Sequence, residues 1–159
     1  YGGTYNTFRV DGLDVDARRG VSLAALDFNT EIRSVSLRGE LALAWIDVPA
    51  DLLEVFGDRQ WGFHLDAVVP LFRPRIRGLA DPVVSAAARL ERVDFNRGRF
   101  TTTGDPIGDE IDAFTVGLSF RPVAGTVFKA DYRHESTRDL VGNQPAKRAG
   151  FQFGLATYF

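Results

Sequence analysis

The chain has 159 residues, a formal net charge of −2 at pH 7 and no cysteine. This length fits one domain, and the near-neutral charge gives no basis for a nucleic-acid partner. Without cysteine, the chain has no disulfide, no thiolate zinc site and no cysteine nucleophile. Its longest uncharged run, at 149–159, is well short of the ~18–20 residues that a membrane-spanning helix needs.

Hydrophobic residues recur with a period of two along most of the chain, and this period predicts β-strands. The opening "GTYNTFRV" is predicted as a strand, and in the following "VSLAALDFN" we place Ala24, Leu26 and Phe28 on one face. Alternation continues in "SVSLRGELALAW", "WGFHLDAVVPLF", "VVSAAARLERV", "DAFTVGLSFR", "VFKADYRHE" and "GFQFGLATYF". These segments make about eight strands, several of them long enough to cross a bilayer as tilted β-structure.

The connections between the predicted strands alternate in length. Long polar segments occupy residues 11–20, 47–60, 96–111 and 136–148, whereas the connections near 30–34 and in "RPVAGT" are short. The segment "RPRIRGLADP" is an exception, since it is longer than a tight turn. Short turns at one end and long loops at the other are typical of an up-and-down membrane barrel. Within the second long loop, "PADLLEVFG" is expected to form one or two helical turns and to fold inward, narrowing a pore.

Charged and polar side chains recur on one parity of these strands, often with opposite charges two residues apart. The candidate lumen-lining residues are Arg38, Glu40, His64, Asp66, Arg89, Glu91, Arg121, Lys129, Asp131, Arg133 and Glu135. In the wet lumen of a membrane barrel they could pair and set the electric field that a solute crosses. They could equally form the solvated exterior of a soluble lipocalin-like barrel, and the charges alone favour neither reading.

The placement of aromatic residues favours the membrane reading. Trp45, Trp61, Phe114, Tyr132 and Phe159 are predicted near strand ends on the apolar parity. Girdles of tryptophan, tyrosine and phenylalanine at the two interfaces are typical of membrane barrels. A soluble core gives no reason to place the largest side chains at strand ends.

The sequence predicts no catalysis, no metal site and no cofactor. His64 and Asp66 are interpreted as part of a polar wall, His134 as a rim residue, and no G-x-S-x-G nucleophile elbow is present. Two acidic clusters lie in predicted loops but lack calcium-loop spacing. They comprise Asp11, Asp14 and Asp16, and Asp105, Asp109, Glu110 and Asp112.

The C-terminal "QFGLATYF" resembles the last strand of Gram-negative outer-membrane β-barrels. That strand carries a polar residue, a glycine, alternating apolar residues and a final aromatic. Gln152, Gly154, Leu155 and Phe159 match this pattern, whereas Thr157 stands where an aromatic is usual. The preceding "FRPVAGTVFKADYRHE" and its polar loop are similar to the end of porin-type proteins.

This resemblance implies a location in the bacterial outer membrane, with the lipid bilayer and the barrel-assembly machinery as partners. It implies that Gln152, Gly154, Leu155 and Phe159 form the assembly signal, with Phe159 at the periplasmic rim. The loop at 136–148 would be extracellular and "RPVAGT" periplasmic. Homotrimers are expected from the resemblance alone.

We therefore predict an all-β, antiparallel up-and-down transmembrane β-barrel forming a single domain over residues 1–159. It is either a complete small barrel or the C-terminal half of a sixteen-stranded porin. The predicted function is a porin-like channel for passive diffusion of small polar solutes. The alternative is a small closed outer-membrane barrel with a structural or adhesion role, its lumen filled by ion pairs. A soluble lipocalin-like carrier is a third hypothesis.

Overall fold

The structure, a computed structural model, describes residues 2–5, 8–10, 13–15 and 19–158, and this part of the chain is all-β. Its strands are β1 (Gly2–Tyr5), β2 (Phe8–Val10), β3 (Leu13–Val15), β4 (Arg19–Ile32), β5 (Val35–Ile46), β6 (Arg59–Phe72), β7 (Val83–Asp94), β8 (Glu110–Val123), β9 (Thr126–Arg138) and β10 (Ala146–Thr157). One short 3-10 helix, Ala50–Leu52, is the helical element of the described residues.

The seven long strands β4–β10 form one sheet in which each strand pairs antiparallel with the next along the chain. At one edge, β1 pairs antiparallel with Arg19–Ser22 of β4, and β2 and β3 form a separate hairpin. Among the described residues no pairing joins β10 to β1, so the sheet is open. The predicted antiparallel up-and-down order is confirmed. The prediction of one opening strand at residues 3–10 is wrong, because these residues divide between β1 and β2.

The sheet curves around its polar side. On β8 the alternate residues Phe114, Val116 and Leu118 are exposed, whereas Ala113 is buried and Thr115 is half-buried. Successive side chains of a strand point to opposite faces, so this difference distinguishes a concave polar face from a convex apolar one. We call the face that carries Ala113 the inner face and the face that carries Phe114 the outer face.

A close contact on the outer face requires glycine at position 39. Gly39 lies opposite Phe28 across the β4–β5 pair. A Cβ added at Gly39 would lie 2.5 Å from Cε1 of the Phe28 ring, which therefore covers the glycine. The same register places Ala24, Leu26 and Phe28 on the outer face, which confirms the predicted grouping.

Apart from the 73–82 connection, the connections between β4 and β10 divide by length between the two ends of the sheet, as predicted. The prediction of a long loop at 11–20 is wrong, because β3 and the start of β4 lie within it. The 47–58, 95–109 and 139–145 loops lie at one end, here called the loop end. The short turns 33–34 and 124–125 and the longer 73–82 connection lie at the other, the turn end. The last long loop is shorter than the predicted 136–148, because β9 continues to Arg138 and β10 begins at Ala146.

Aromatic residues occupy strand ends only in part. Trp45 and Trp61 lie near the loop end of β5 and β6, as predicted. Phe114 and Tyr132 lie further inside β8 and β9, so that prediction is wrong. On β8 the alternation of apolar residues ends before the strand does. Polar residues such as Asp112 remain hydrogen-bonded to β9 towards the loops. Phe159 lies outside the described residues.

The apolar area of the outer face has an oblique border towards the loop end. On β5 it reaches Trp45, whereas on β7 it ends at Leu90, which is followed on that face by Arg92. Leu90 lies opposite Leu65 of β6, which lies opposite Gly39 of β5. Because Gly39 comes six residues before Trp45, the border on β7 lies six residues further from the loop end than on β5. The border then follows one row to β10, through Phe114, His134 and Ala149.

Most of the buried side chains lie in the loops and not in the sheet. The buried hydrophobic side chains of the described residues are Val48, Ile107 and Ala113, and two of these belong to loops. Asn96, in the 95–109 loop, is 1% exposed and is the fully buried side chain of this part of the chain. The loop end is thus a packed unit set on an open sheet.

Candidate functional site

The inner face carries its charges in rows that cross the strands. One row, the acidic row, contains several carboxylates that the register places side by side. Its members are Asp27, Glu40, His64, Glu91, Ala113, Glu135 and Arg148. Such a row arises because residues that lie directly opposite each other on neighbouring strands point to the same face of the sheet.

The next row towards the turn end, the arginine row, is predominantly basic. Its members are Asn29, Arg38, Asp66, Arg89, Thr115, Arg133 and Gly150. All eleven predicted lumen-lining residues lie on this inner face, because the register keeps their parity from strand to strand. The sequence grouped them by strand, and the structure arranges them across strands.

Ion pairs connect the two rows. Arg89 Nε lies 3.5 Å from Asp66 Oδ1 and 3.4 Å from Glu91 Oε1. Arg133 contacts Glu91 and lies 3.3 Å from Glu135 Oε2. These side chains are between 23% and 41% exposed, so each pair contributes at most about 1 kcal/mol. The network therefore fixes the positions of charges more than it stabilises the sheet.

Other inner-face charges lie outside this network. Within the described part of the chain, Arg38, Arg121 and Lys129 form no ion pair, although the sequence offered Glu40 and Asp131 as neighbours. The carboxylate of Asp131 lies over Gly117, where any added Cβ would collide with it. A group of cations is thus left exposed to the concave side.

A cavity of about 470 Å³ lies on the inner face. Residues from six consecutive strands, β5 to β10, line it, which the curvature of the sheet makes possible. Its polar lining comprises Ser36, Arg38, Asp66, Arg89, Glu91, Thr115, Ser119, Arg121, Lys129, Asp131, Arg133 and Gln152. The cavity can accommodate a small polar solute among both charge types and several hydroxyl groups.

The 47–58 loop lies over the loop end of the inner face. A cavity of about 720 Å³ is bounded by Val48 and Val55 of this loop and by inner-face residues Val21, Ile46 and Gln60. The predicted helical turn in this loop is present as Ala50–Leu52. The loop therefore approaches the mouth of the concave face, where an inward-folding segment was expected.

Asn96 joins the two longest loops. Its Nδ2 donates to the carbonyl oxygens of Leu53 at 3.2 Å and Glu54 at 3.4 Å, and its Oδ1 accepts from the Gly98 amide at 3.0 Å. Gly57 passes so close to Asn96 that an added Cβ would lie 2.7 Å from the Asn96 Cα. The third loop is attached to the second by Gly108 N, which donates to Leu140 O at 2.9 Å.

Glu54 forms a second connection between the 47–58 and 95–109 loops. Its Oε1 accepts hydrogen bonds from the Thr101 amide at 2.6 Å and from the Thr101 hydroxyl at 2.5 Å. The hydroxyl bond, followed by the amide bond, lowers the pKa of Glu54 below its usual value. Bonds to the charged form stabilise that form, so they attach the loops most strongly while Glu54 is ionised.

We expect acid to loosen this loop contact. Because the folded-state pKa of Glu54 is depressed, its contribution is present above the unfolded-state pKa and is lost as pH falls through the folded value. The protection of the Thr101 amide against hydrogen exchange, relative to its intrinsic rate, should therefore fall below about pH 4. In Glu54→Gln this pH dependence should be absent, and an unchanged profile in that variant would contradict the assignment.

Asp109 shows the opposite effect at the base of the same loop. Burial, followed by repulsion from Asp94, raises the pKa of the Asp109 carboxyl above its usual value. Asp94 is held in place by Trp61 Nε1, which donates to it at 3.1 Å, and by the Asn96 amide, also at 3.1 Å. The backbone of Asp109 has a φ of 69°, in the left-handed region. Two carboxylates therefore meet where β7 enters the loop.

Sequence reasoning missed a polar cluster on the outer face. Arg92 contacts Glu110 and lies 3.6 Å from Asp112 Oδ1, and Arg138 lies 3.3 Å from Glu110 Oε1. The Arg92 guanidinium also lies 5.9 Å from the Trp61 ring centroid. Arg92 lies on the same face of β7 as Leu90. A charged residue at a position where the alternation calls for an apolar one was the signal that the sequence offered. This cluster forms the polar side of the oblique border.

The two histidines occupy different faces. His64 Nε2 lies 3.9 Å from Asp66 Oδ2 on the inner face, in a polar setting as predicted. His134 stacks on Phe114 on the outer face, with ring centroids 5.4 Å apart. Within the described residues, no group of three or more histidine, cysteine or acidic side chains is arranged to hold a metal ion.

The predicted assembly signal lies on an edge strand. Gln152 lies opposite Asp131, Gly154 opposite Lys129 and Leu155 opposite Phe128, with Leu155 exposed on the outer face. Every described side chain of β10 is exposed on both faces. Phe159 lies outside the described residues.

No protein-family model matches the chain, and no curated protein or solved structure shows significant similarity to it. In the described residues, no helix is both long and apolar enough to cross a membrane.

Proposed function

We propose that this chain forms β-barrel wall in a bacterial outer membrane and that the barrel is a porin-like channel for passive diffusion of small polar solutes. The observation that carries the proposal is the orientation of the two faces. Charges line the concave side, and large apolar side chains cover the convex side. Phe151, Phe153 and Leu155 are 75%, 82% and 62% exposed there. Lipid contact gives such residues a favourable environment, which water does not.

The oblique border of the outer apolar area supports a tilted barrel. From Trp45 on β5 to Leu90 on β7 the border shifts by six residues, about 20 Å along the strands at about 3.3 Å per residue, over two interstrand steps. From β7 to β10 the border follows one hydrogen-bonded row. A membrane surface crosses the hydrogen-bonded rows obliquely where strands tilt, as the strands of a barrel do by ~35–45°.

The extent of the apolar area on β5 agrees with the same reading. From Val35 to Trp45 the outer face of β5 is apolar apart from Gly39, over about 33 Å at 3.3 Å per residue. A strand tilted by about 40° covers about 25 Å of that length along the membrane normal, which equals the usual apolar band of an outer-membrane barrel.

Conductance across planar bilayers tests the proposal. The purified protein in its native length is expected to produce stepwise ohmic currents after reconstitution, because charged and hydroxyl side chains line the inner face. The same preparation heated until β-structure is lost, in the same detergent, is the control. Absence of steps from correctly folded, inserted protein would refute the channel.

The ion-pair network favours one second candidate, a small closed barrel with a structural role. Arg89 and Arg133 connect carboxylates on β6, β7 and β9, and in a narrow barrel such pairs fill the lumen. Folded, inserted protein without conductance is the expected result for that candidate. The soluble carrier has less support, because a carrier would place its apolar face on the concave side.

A further inference from the structure

We propose that the inner-face cavity is a binding site for small oxyanions, such as carboxylates or phosphate, and makes the channel anion-selective. This inference rests on the proposed channel function for its selectivity and on the cavity alone for its binding. The chain as a whole is slightly acidic, with a net charge of −2. The cavity is locally basic, and that difference is the starting point.

The cavity wall carries more cations than carboxylates. Its five cations are Arg38, Arg89, Arg121, Lys129 and Arg133, and its three carboxylates are Asp66, Glu91 and Asp131. Arg89 and Arg133 are engaged by Asp66, by Glu91 and, outside the lining, by Glu135, so Asp131 is the lining carboxylate that forms no ion pair with a described residue. Arg38, Arg121 and Lys129 form no ion pair with any described residue, and they supply the excess positive charge.

Further acids of the inner face lie beside the cavity, outside its lining. Asp27 and Glu40 lie opposite each other on β4 and β5, and Glu31 lies two rows further towards the turn end. None of these three carboxylates lines the cavity. The inner face thus has a cavity with a local excess of positive charge beside an acidic region that comprises Asp27, Glu31 and Glu40. A field of this kind attracts anions to the basic side.

The remaining polar groups suit an oxyanion. Ser36, Thr115, Ser119 and the Gln152 amide line the same cavity and can donate hydrogen bonds to oxygen atoms. Guanidinium groups match the planar geometry of carboxylate and phosphate oxygens and bind them strongly. A volume of about 470 Å³ admits a small solute and leaves room for water. The ligand class is therefore a small oxyanion and not an apolar molecule.

Two measurements on the purified, folded protein test the site. In a bilayer with a KCl gradient, the reversal potential should show chloride preferred over potassium, and inorganic phosphate should reduce the chloride current. In detergent solution, inorganic phosphate should bind, as seen by broadening of its phosphorus NMR line. The double variant Arg121→Gln/Lys129→Gln should lose most of the line broadening, and its chloride preference should fall severalfold.

A matched control removes the same charge elsewhere. Arg75 and Arg77 are exposed cations of the 73–82 connection at the turn end, and Arg75→Gln/Arg77→Gln should retain both properties. Cation preference in the wild type, or equal phosphate binding by both double variants, would overturn the site. Phosphate binding that depends on Arg121 and Lys129, without any conductance, would uphold the site and refute the channel.

Discussion

Replacing Phe153 by arginine is expected to destabilise the protein in lipid by about 2–4 kcal/mol, the cost of a cation in the middle of the apolar band of an outer-membrane barrel. Phe153 is 82% exposed on the outer face of β10, so the substitution breaks no internal packing. The loss therefore measures the surroundings of that face. Reversible folding into bilayers, followed during urea titration, gives the free energy of unfolding.

The neighbouring Gln152 supplies the matched control for this experiment. It lies on the inner face of the same strand, opposite Asp131, so Gln152→Arg adds the same side chain beside a carboxylate. Its free energy of unfolding should change by less than about 1 kcal/mol. If Phe153→Arg were neutral while Gln152→Arg was costly, the outer face would contact water and the membrane proposal would fail.

Asn96→Ala is expected to detach the 47–58 loop from the 95–109 loop. The substitution removes the hydrogen bonds to the Leu53 and Glu54 carbonyls and to the Gly98 amide. Removing one partner of buried hydrogen bonds costs about 1–3 kcal/mol, and here the cost falls on local loop docking. Limited proteolysis should then cut within residues 50–56 much faster than in the wild type.

Asn143→Ala serves as the control, because Asn143 is an exposed loop asparagine whose Nδ2 donates to Asp139 Oδ2 at 2.8 Å. Its loss should leave cleavage in the 47–58 loop unchanged. Equal protection of that loop in Asn96→Ala and the wild type would show that Asn96 does not hold the loops together. The channel proposal does not depend on this result.

Local alternation was enough to predict the seven long strands and the residues that share a face in them, but not β1, β2 and β3. In β5, the alternation keeps the same parity from Val35 to Trp45. Shifting this parity by one residue would move every charge to the outer face. For this reason Arg38 and Glu40 could be assigned to the inner face before any pairing was known. The antiparallel order followed from the short turns, since adjacent strands joined by two residues can pair in only that way.

The register between strands was not available from the sequence. The acidic and arginine rows depend on which residues of β6 and β7 stand opposite each other, and a single sequence does not reveal such pairings. Arg92 was missed because an arginine on an apolar parity looks like an interruption until Glu110 and Asp112 are placed beside it. The same polar residues extend β8, which is why Phe114 was wrongly placed at a strand end.

Loop docking was equally out of reach of the sequence. Asn96 lies 43 residues from Leu53, and nothing in either segment indicates that they meet. Asparagine is a common loop residue, so its type carried no signal. Its near-complete burial results from tertiary packing alone.

The odd number of long strands limits how the sheet can become a ring. Since β4 to β10 alternate in direction, the first and the seventh both run from the loop end to the turn end. A ring in which all neighbours are antiparallel has an even number of strands, so β4 and β10 cannot be partners in it. A closing strand must run the other way, as β1 does where it pairs with Arg19–Ser22.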